Sequence, residues 1–387
     1  MVKLDEHKFS QLKNNTLENF TTEEIEDLKY LGFITNIKDE FGAVKLQNQN
    51  YIKNDKKFSI VIAPTTKCNA QCSYCFEKGI KAVEMDDDTI IHLVDYIEKA
   101  SKGRSVHITW FGGEPLMGAK QIDKICELLD SRNINYNSSM ISNGYLIDKY
   151  IKNAKDKWEL QRIQITLDDL FEKYDVIKRI GIHSFEKVIS NIHLLIENEI
   201  KVSIRVNFDA ANYTKSLKLI DYVKDEFGDK VSLYFHDIVG AEYKSANEMQ
   251  PNPMIEISKK LMDAGYINGL PDLKIKRSMT PCGLEKTNFI NVFPDGSATR
   301  CEHYIGKESE YSVGNLNSSS FNPKPYEKIL YKGCKYCVCY PICGGGCESN
   351  HKIRNGYGCT RIKTGLIELL KLYIERRIEN ENSNDKF

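Results

Sequence analysis

Six short apolar runs, beginning near Phe58, Ser105, Asn135, Arg162, Lys201 and Val231, alternate with segments whose apolar residues recur at helical spacing. In Asp86 to Ala100, for example, Asp86, Asp87 and Asp88 supply caps while Ile90, Val94 and Ile97 form a stripe. Ser184 to Glu197 reads the same way, as does Gln121 to Leu129, which puts Cys126 in the core. A strand followed by a helix, repeated six times, requires parallel strands joined by right-handed crossovers. The pattern predicts an α/β fold, a partial (β/α)6 TIM-like barrel with its chemistry at the C-terminal ends of the strands.

The alternation also sets the expected domain boundaries. Residues 1–57 are a polar appendage in which Thr21-Thr22-Glu23-Glu24 opens a helix before Ile25, Leu28 and Leu31. Residues 58–250 form the barrel, 251–280 a connecting helical segment, and 281–360 a loop-rich domain dense in Gly and Cys. Residues 361–387 are a C-terminal helix, Ile362 to Ile378, and a tail. Eight of the twelve cysteines fall between Cys282 and Cys359, where apolar residues are too few for an ordinary core. Bound metal is the expected substitute for that core.

The chain carries 54 basic and 54 acidic side chains, so no global field attracts nucleic acid or an anionic membrane. No run approaches the roughly 20 apolar residues of a membrane span, and Met1-Val2-Lys3-Leu4-Asp5-Glu6 lacks the apolar core of a signal peptide. A cytoplasmic location is expected. There, twelve cysteines read as metal or iron-sulfur ligands rather than as disulfides.

The stretch Ala63 to Gly79 follows directly on the first strand and contains Cys68, Cys72 and Cys75, separated by three and then two residues. Three thiolates supply a four-iron cluster with three ligands and leave one iron open to an external molecule. A zinc knuckle needs a fourth His or Cys nearby, and none lies between Cys75 and His92. The second strand runs into Trp110-Phe111-Gly112-Gly113-Glu114-Pro115, where paired glycines allow close backbone approach and Glu114 offers a carboxylate to an ammonium group.

This cysteine spacing, with the aromatic Tyr74 before the last cysteine, resembles the signature of the radical S-adenosylmethionine (SAM) superfamily. The resemblance implies that SAM chelates the open iron through its amino and carboxylate groups. One electron then cleaves it to methionine and a 5′-deoxyadenosyl radical that abstracts hydrogen from substrate, the cofactor supplying the hard chemistry. Gly112, Gly113 and Glu114 resemble the motif that binds the SAM amino group. Ser142, Asn143 and Thr166, on the third and fourth strands, resemble segments that line the ribose and carboxylate. Asp169 stands where the family usually has glycine. Arg205 on the fifth strand is a candidate for the SAM carboxylate or a structural Arg at the rim, and Lys178 and Arg179 compete for the first role.

The C-terminal cysteines form a second pattern. Cys282 is followed by Gly296 and Cys301; Cys334, Cys337, Cys343 and Cys347 are separated by two, five and three residues; Cys359 ends the set. This resembles the SPASM domain, an iron-sulfur extension of peptide- and protein-modifying radical SAM enzymes. The resemblance implies three [4Fe-4S] clusters in all. Cys334, Cys337, Cys343 and Cys359 would hold one auxiliary cluster, and Cys282, Cys301 and Cys347 the other. Some relatives complete the second set with a cysteine where this chain has Asn288, so its cluster keeps an open iron unless Cys339 closes it. A pair of zinc sites in an interaction module is the plainer reading of the same cysteines.

The expected function is that of a peptide maturase, forming a thioether or other crosslink in a ribosomally made precursor. Its partners are that peptide and an electron donor such as flavodoxin or ferredoxin. An anaerobic sulfatase maturase, making formylglycine, is the second reading. In that family an Asp follows the cysteine equivalent to Cys301; here it is Glu302, then His303. Glu302 is the candidate general base in either reaction. A non-catalytic iron-sulfur electron carrier is the third reading, and the Gly-Gly-Glu turn argues against it.

Overall fold

The computed structural model describes residues 4–14, 16–30, 34–53, 56–238, 252–267 and 282–307 and, with gaps, 309–349 and 365–378. It divides into two compact units, residues 1–46 and 47–387. In the first, α1 (Glu6–Lys13) is capped by Asp5 and α2 (Thr22–Tyr30) opens on a reciprocal pair. Thr21 Oγ1 accepts from Glu24 N at 3.2 Å while Glu24 Oε2 accepts from Thr21 N at 2.8 Å. α3 (Glu40–Lys53) begins in this unit and ends in the second.

The second unit is built on one nine-stranded sheet in the order β6-β5-β4-β3-β2-β1-β7-β8-β9. Its first six strands are β1 (Phe58–Ile62), β2 (Val106–Trp110), β3 (Tyr136–Ser142), β4 (Leu160–Thr166), β5 (Lys201–Phe208) and β6 (Val231–Asp237). All pair in parallel with their sequence neighbours. Between them run α4 (Asp87–Ser101), α5 (Ala119–Ser131), α6 (Ile147–Asp156), α7 (Phe171–Lys178), α8 (Ser184–Glu197), the single turn α9 (Tyr213–Ser216) and α10 (Lys218–Phe227). This is the parallel α/β sheet expected of a partial barrel.

The two faces of the sheet differ in chemistry because successive side chains point to opposite sides. Ile60, Ile62, Val106, Ile108, Trp110, Met140, Ile163, Ile165, Ile204 and Val206 join one core with Ile90, Val94, Ile122, Val188 and Ile192 of the helices. The other face carries His107, Thr109, Asn137 and Ser139, linked by hydrogen bonds of 2.6 to 3.2 Å. Gln164, Arg205 and Tyr234 continue it. Polar side chains in that position are available to a bound polar molecule rather than to the core.

Beyond β6, α11 (Pro253–Asp263) starts at Asn252, whose side chain accepts from Met254 N, with Pro253 in the first turn. Leu369 of the C-terminal helical segment packs against Ile255, Met262 and Ile267. β7 (Phe289–Val292) then lies parallel to β1, Ile290 opposite Ile60, and β8 (Ser297–Thr299) and β9 (Ser312–Asn315) extend the sheet antiparallel. The turn Pro294-Asp295-Gly296 delivers β8 and, two residues on, Cys301. Buried Arg300 anchors this extension by donating to the carbonyls of Lys286, Phe289 and Lys324.

Candidate active site

Three loops meet at the C-terminal ends of β1 to β3. The cysteine loop leaves β1 and returns along itself: Thr65 Oγ1 donates to Val83 O (2.8 Å), Thr66 Oγ1 to Lys81 O (2.7 Å), and Lys67 pairs with Glu84 (3.0 Å). Within it, Cys75 N donates to Cys72 O (3.2 Å) and Ala70 N to Cys68 Sγ (3.4 Å).

The glycine loop after β2 lies directly against the cysteine loop. Gly113 N donates to Thr65 O (3.2 Å) and Glu114 N to Lys67 O (2.8 Å). A Cβ on Gly112, whose φ is +105°, would stand 2.5 Å from Thr65 O, and one on Gly113 would stand 2.3 Å from Lys67 O. Only glycine permits this contact.

Glu114 is 1% exposed. Its Oε1 accepts from Leu116 N (3.1 Å) and Ser142 Oγ (2.9 Å), and its Oε2 from Asn143 N (2.9 Å). Burial raises its pKa, and among the described residues it forms no ion pair. A carboxylate accepts about four bonds, so Oε2 has capacity for one more donor. An ammonium group is the partner that such a site lacks.

From the fourth strand comes a buried trio. Lys178, at the end of α7, pairs with Asp168 at 2.8 Å and donates to Tyr74 Oη at 2.7 Å, and Tyr74 Oη donates to Asp168 Oδ2. Asp168 Oδ1 also accepts from Asn207 N (3.1 Å), and Gln71 N donates to Lys178 O (2.9 Å). Lys178 therefore ties the cysteine loop to β4, β5 and α7. Although burial lowers a lysine's pKa, the facing carboxylate keeps this one raised. Asn143 Nδ2 to Asn69 Oδ1 (2.7 Å) adds a tie from β3.

Other expected residues are distributed around this centre. Thr166 and Arg205 are opposite one another on β4 and β5, and Arg205 Nε donates to Asn207 Oδ1 at 2.8 Å. Asp169 Oδ1 accepts from Leu170 N (2.9 Å), so the turn forms without the family's glycine. Glu302 and His303 form a short helical turn after Cys301, and the His303 ring packs on Phe76 at 4.9 Å. Burial lowers the His303 pKa.

The cysteine loop also buries Glu77, whose Oε2 has no partner among the described residues and whose pKa burial raises to about 7. Its position two residues after Cys75 is the only sequence signal for it.

Although Cys68 is exposed, partial desolvation by the surrounding loops, followed by the charges of Glu114 and of Cys72 and Cys75, pushes its thiol up to about 12. A bare thiol so raised stays protonated at neutral pH, and metal binding is what removes the proton. No three His, Cys, Asp or Glu side chains among the described residues converge as a single ion requires. Thiolates around one zinc ion lie about 3.8 Å apart, given a Zn–S length of about 2.3 Å. Three thiolates give a four-iron cluster three of its four ligands, so the donor set suits a [4Fe-4S] cube with one iron open.

The second cysteine set is partly described. Cys282 and Cys347 are close enough for their charges to act on Cys301, whose thiol burial and Glu302 push up to about 12. Cys282 and Cys301 share an apolar cluster with Leu284 and Tyr311. Cys334 and Cys337 sit on one helical turn, Cys337 N donating to Cys334 O (3.2 Å). Cys339, Cys343 and Cys359 lie outside the described residues. Asn288 is buried and its amide donates to Lys57 O just before β1, which gives that position a structural task. Cys126 is buried on α5, as expected of a core cysteine.

The radical SAM superfamily model matches residues 62–224, which carry the cysteine loop, the glycine loop and the buried trio. The chain carries a radical SAM domain. Among curated proteins, the GTP 3′,8-cyclase of Clostridium perfringens is 28% identical over 273 residues, covering 63% of this chain and 80% of that protein. The radical SAM cyclopropyl synthase TigE of Paramaledivibacter caminithermalis is 24% identical over 428 residues, covering 97% and 86%.

Two solved structures share the fold. Native anSMEcpe with bound AdoMet and Kp18Cys peptide has a TM-score of 0.65 at 18% identity, covering 85% of this chain and 99% of that one. Streptococcus suis SuiB bound to precursor peptide SuiA has a TM-score of 0.58 at 15% identity, covering 92% and 88%. No helix among the described residues is long and apolar enough to cross a membrane.

Proposed function

We propose that the chain is a radical SAM/SPASM peptide maturase that modifies a ribosomally made precursor, forming a thioether or other crosslink. The observation that carries this reading is the placement of the second cysteine set. Cys282, Cys301 and Cys347 gather on the extension that β7 hydrogen-bonds to β1, the strand that launches Cys68, Cys72 and Cys75. The His303 ring meets Phe76 of the cysteine loop. Two candidate cluster sites thus flank one region. Relatives of the same fold with bound peptides support a peptide as substrate.

In this reading Cys68, Cys72 and Cys75 hold the SAM cluster, and Glu114 receives the SAM ammonium with Ser142 and Asn143 beside it. Tyr74, Thr166 and Arg205 line the remainder. Cys282, Cys301 and Cys347 hold one auxiliary cluster, and Cys334, Cys337, Cys343 and Cys359 the other, within a domain of residues 281–360. The bound SAM and its cluster supply a carbon radical able to abstract an unactivated hydrogen. The chain's own residues orient, shield and neutralise. The enzyme works in the cytoplasm with a flavodoxin- or ferredoxin-type donor.

The test is anaerobic reconstitution followed by incubation with SAM, dithionite and the precursor peptide encoded beside the gene. The expected product is lighter by about two hydrogens per crosslink, with one 5′-deoxyadenosine released per hydrogen abstracted. Unmodified peptide alongside abundant 5′-deoxyadenosine would reject the peptide reading but keep the radical chemistry. A second reading, formylglycine formation in a sulfatase, has in its favour the Glu302 carboxylate directly after Cys301. Conversion of a sulfatase-derived Cys peptide to the aldehyde would select it.

A further inference from the structure

Beside the cysteine loop, outside the polar barrel face, a cavity of about 500 Å³ opens between the returning limb of that loop, the β7–β8 turn and residues 305–307. Its walls include Ile80, Phe293 and Ile305, which pack with Ala63 and Phe76. Three exposed lysines, Lys78, Lys81 and Lys307, line it with a single carboxylate, Asp295. Lys67, earlier in the same loop, is matched by Glu84 at 3.0 Å. By contrast, none of the three cavity lysines has a carboxylate within 4.0 Å among the described residues. Asp295 faces its own turn, accepting from Ser297 N (3.0 Å) and Ser297 Oγ (2.5 Å). A chain with no net charge therefore presents a concentrated positive patch at this place.

The patch is joined to the cysteine loop through the backbone. Lys307 Nζ donates to Phe76 O at 3.4 Å, and Phe76 is bonded to Cys75. None of the cavity's lining residues belongs to the inward-facing set of β2 to β6, so a molecule seated there reaches the cluster's ligand loop from outside and leaves the substrate space free. Each SAM cleavage consumes one electron from outside the chain. We propose that this lysine-rimmed cavity is the docking site of a small acidic one-electron donor protein of the flavodoxin or ferredoxin class. The proposal rests on the reading that Cys68, Cys72 and Cys75 hold a cluster. In the transfer the donor is oxidised by one electron and the cluster is reduced by one; no bond forms or breaks and no proton moves. Lysine charges steer and orient such a partner, and the apolar wall accepts a projecting side chain from it.

The test compares wild-type holoenzyme with the triple variant Lys78→Glu, Lys81→Glu, Lys307→Glu, and with the milder Lys78→Gln, Lys81→Gln, Lys307→Gln, each reconstituted to equal iron content. Two readouts are taken: the affinity for oxidised flavodoxin by calorimetry, and 5′-deoxyadenosine formation driven either by reduced flavodoxin or by dithionite. The glutamate variant is expected to lose at least tenfold in flavodoxin affinity and in the flavodoxin-driven rate at about 0.1 M ionic strength, with the dithionite-driven rate within twofold of wild type. The glutamine variant should fall between them. Added salt should depress the flavodoxin-driven rate of wild type, leave that of the glutamine variant nearly flat and raise that of the glutamate variant.

Unchanged flavodoxin affinity in both variants overturns the proposal. So does an equal loss of flavodoxin- and dithionite-driven rates in the glutamine variant, or a loss of precursor-peptide binding with flavodoxin binding intact, which would assign the cavity to substrate. If wild type yields no 5′-deoxyadenosine even with dithionite, the underlying cluster reading falls and the docking site with it.

Discussion

Lys178 and Asp168 form an ion pair at 2.8 Å with side chains only 3% and 2% exposed, and both reach the hydroxyl of Tyr74 between Cys72 and Cys75. A charge pair this deep is costly to make, and it is retained here where it holds the cysteine loop in place.

Removing one partner leaves the other buried and unmatched. Lys178→Met is expected to destabilise the fold by about 3–5 kcal/mol. Urea unfolding checks this through the midpoint, and the double variant Lys178→Met, Asp168→Asn should recover part of the loss. A single variant within about 1 kcal/mol of wild type contradicts the holding role, since surface changes are of that size.

The contact between the glycine and cysteine loops leaves no room for a methyl group. In Gly113→Ala the new Cβ meets the Lys67 carbonyl at 2.3 Å, and the loops must part. We expect a stability loss of about 1–3 kcal/mol and an unchanged far-ultraviolet circular dichroism spectrum. SAM affinity, followed by calorimetry on the reconstituted enzyme, should weaken at least roughly tenfold, the equivalent of about 1.4 kcal/mol. Wild-type affinity in this variant argues against the two loops sharing the SAM site.

Glu114→Gln keeps the shape of the side chain and removes its charge. The bonds from Leu116, Ser142 and Asn143 need an acceptor at both carboxylate oxygens, and an amide offers one. With the ammonium partner also lost, SAM affinity should fall by about 2–5 kcal/mol while iron content stays at the wild-type level. Iron loss equal to the affinity loss would make Glu114 a scaffold residue only.

Iron analysis of the reconstituted chain should give about twelve atoms, four for each of three [4Fe-4S] centres. Cys339→Ala should keep them all. A total near four irons removes the auxiliary clusters, and loss of about four in Cys339→Ala makes that cysteine a ligand.

The barrel was legible because its signal is periodic. β1, β5 and β6 begin at Phe58, Lys201 and Val231 as expected, and β2, β3 and β4 begin within two residues of expectation. β7 was not legible: Phe289–Val292 is four residues long, and its partner β1 is more than two hundred residues away in sequence. The pattern of Cys68, Cys72, Cys75, Gly112, Gly113 and Glu114 was readable since each lies in one short stretch.

Lys178 and Asp168 were less so, because a helix end brings them together and nothing in spacing separates Lys178 from Arg179. Asn288 stands where some relatives have a cysteine, and the sequence did not show that its amide secures the residue before β7 to Lys57. The polar barrel face was visible on β5 alone, and its links across β2 and β3 appear only once the strands are in register.

The central claim is that Cys68, Cys72 and Cys75 hold a cluster that reduces SAM. It is tested most directly by incubating the anaerobically reconstituted protein with SAM and dithionite and measuring 5′-deoxyadenosine by chromatography. Wild type should produce it and Cys72→Ala should not, while Cys72→Ala should keep the irons expected at the downstream sites. Absence of 5′-deoxyadenosine from a wild-type sample whose iron content and visible absorbance show intact clusters would contradict the account.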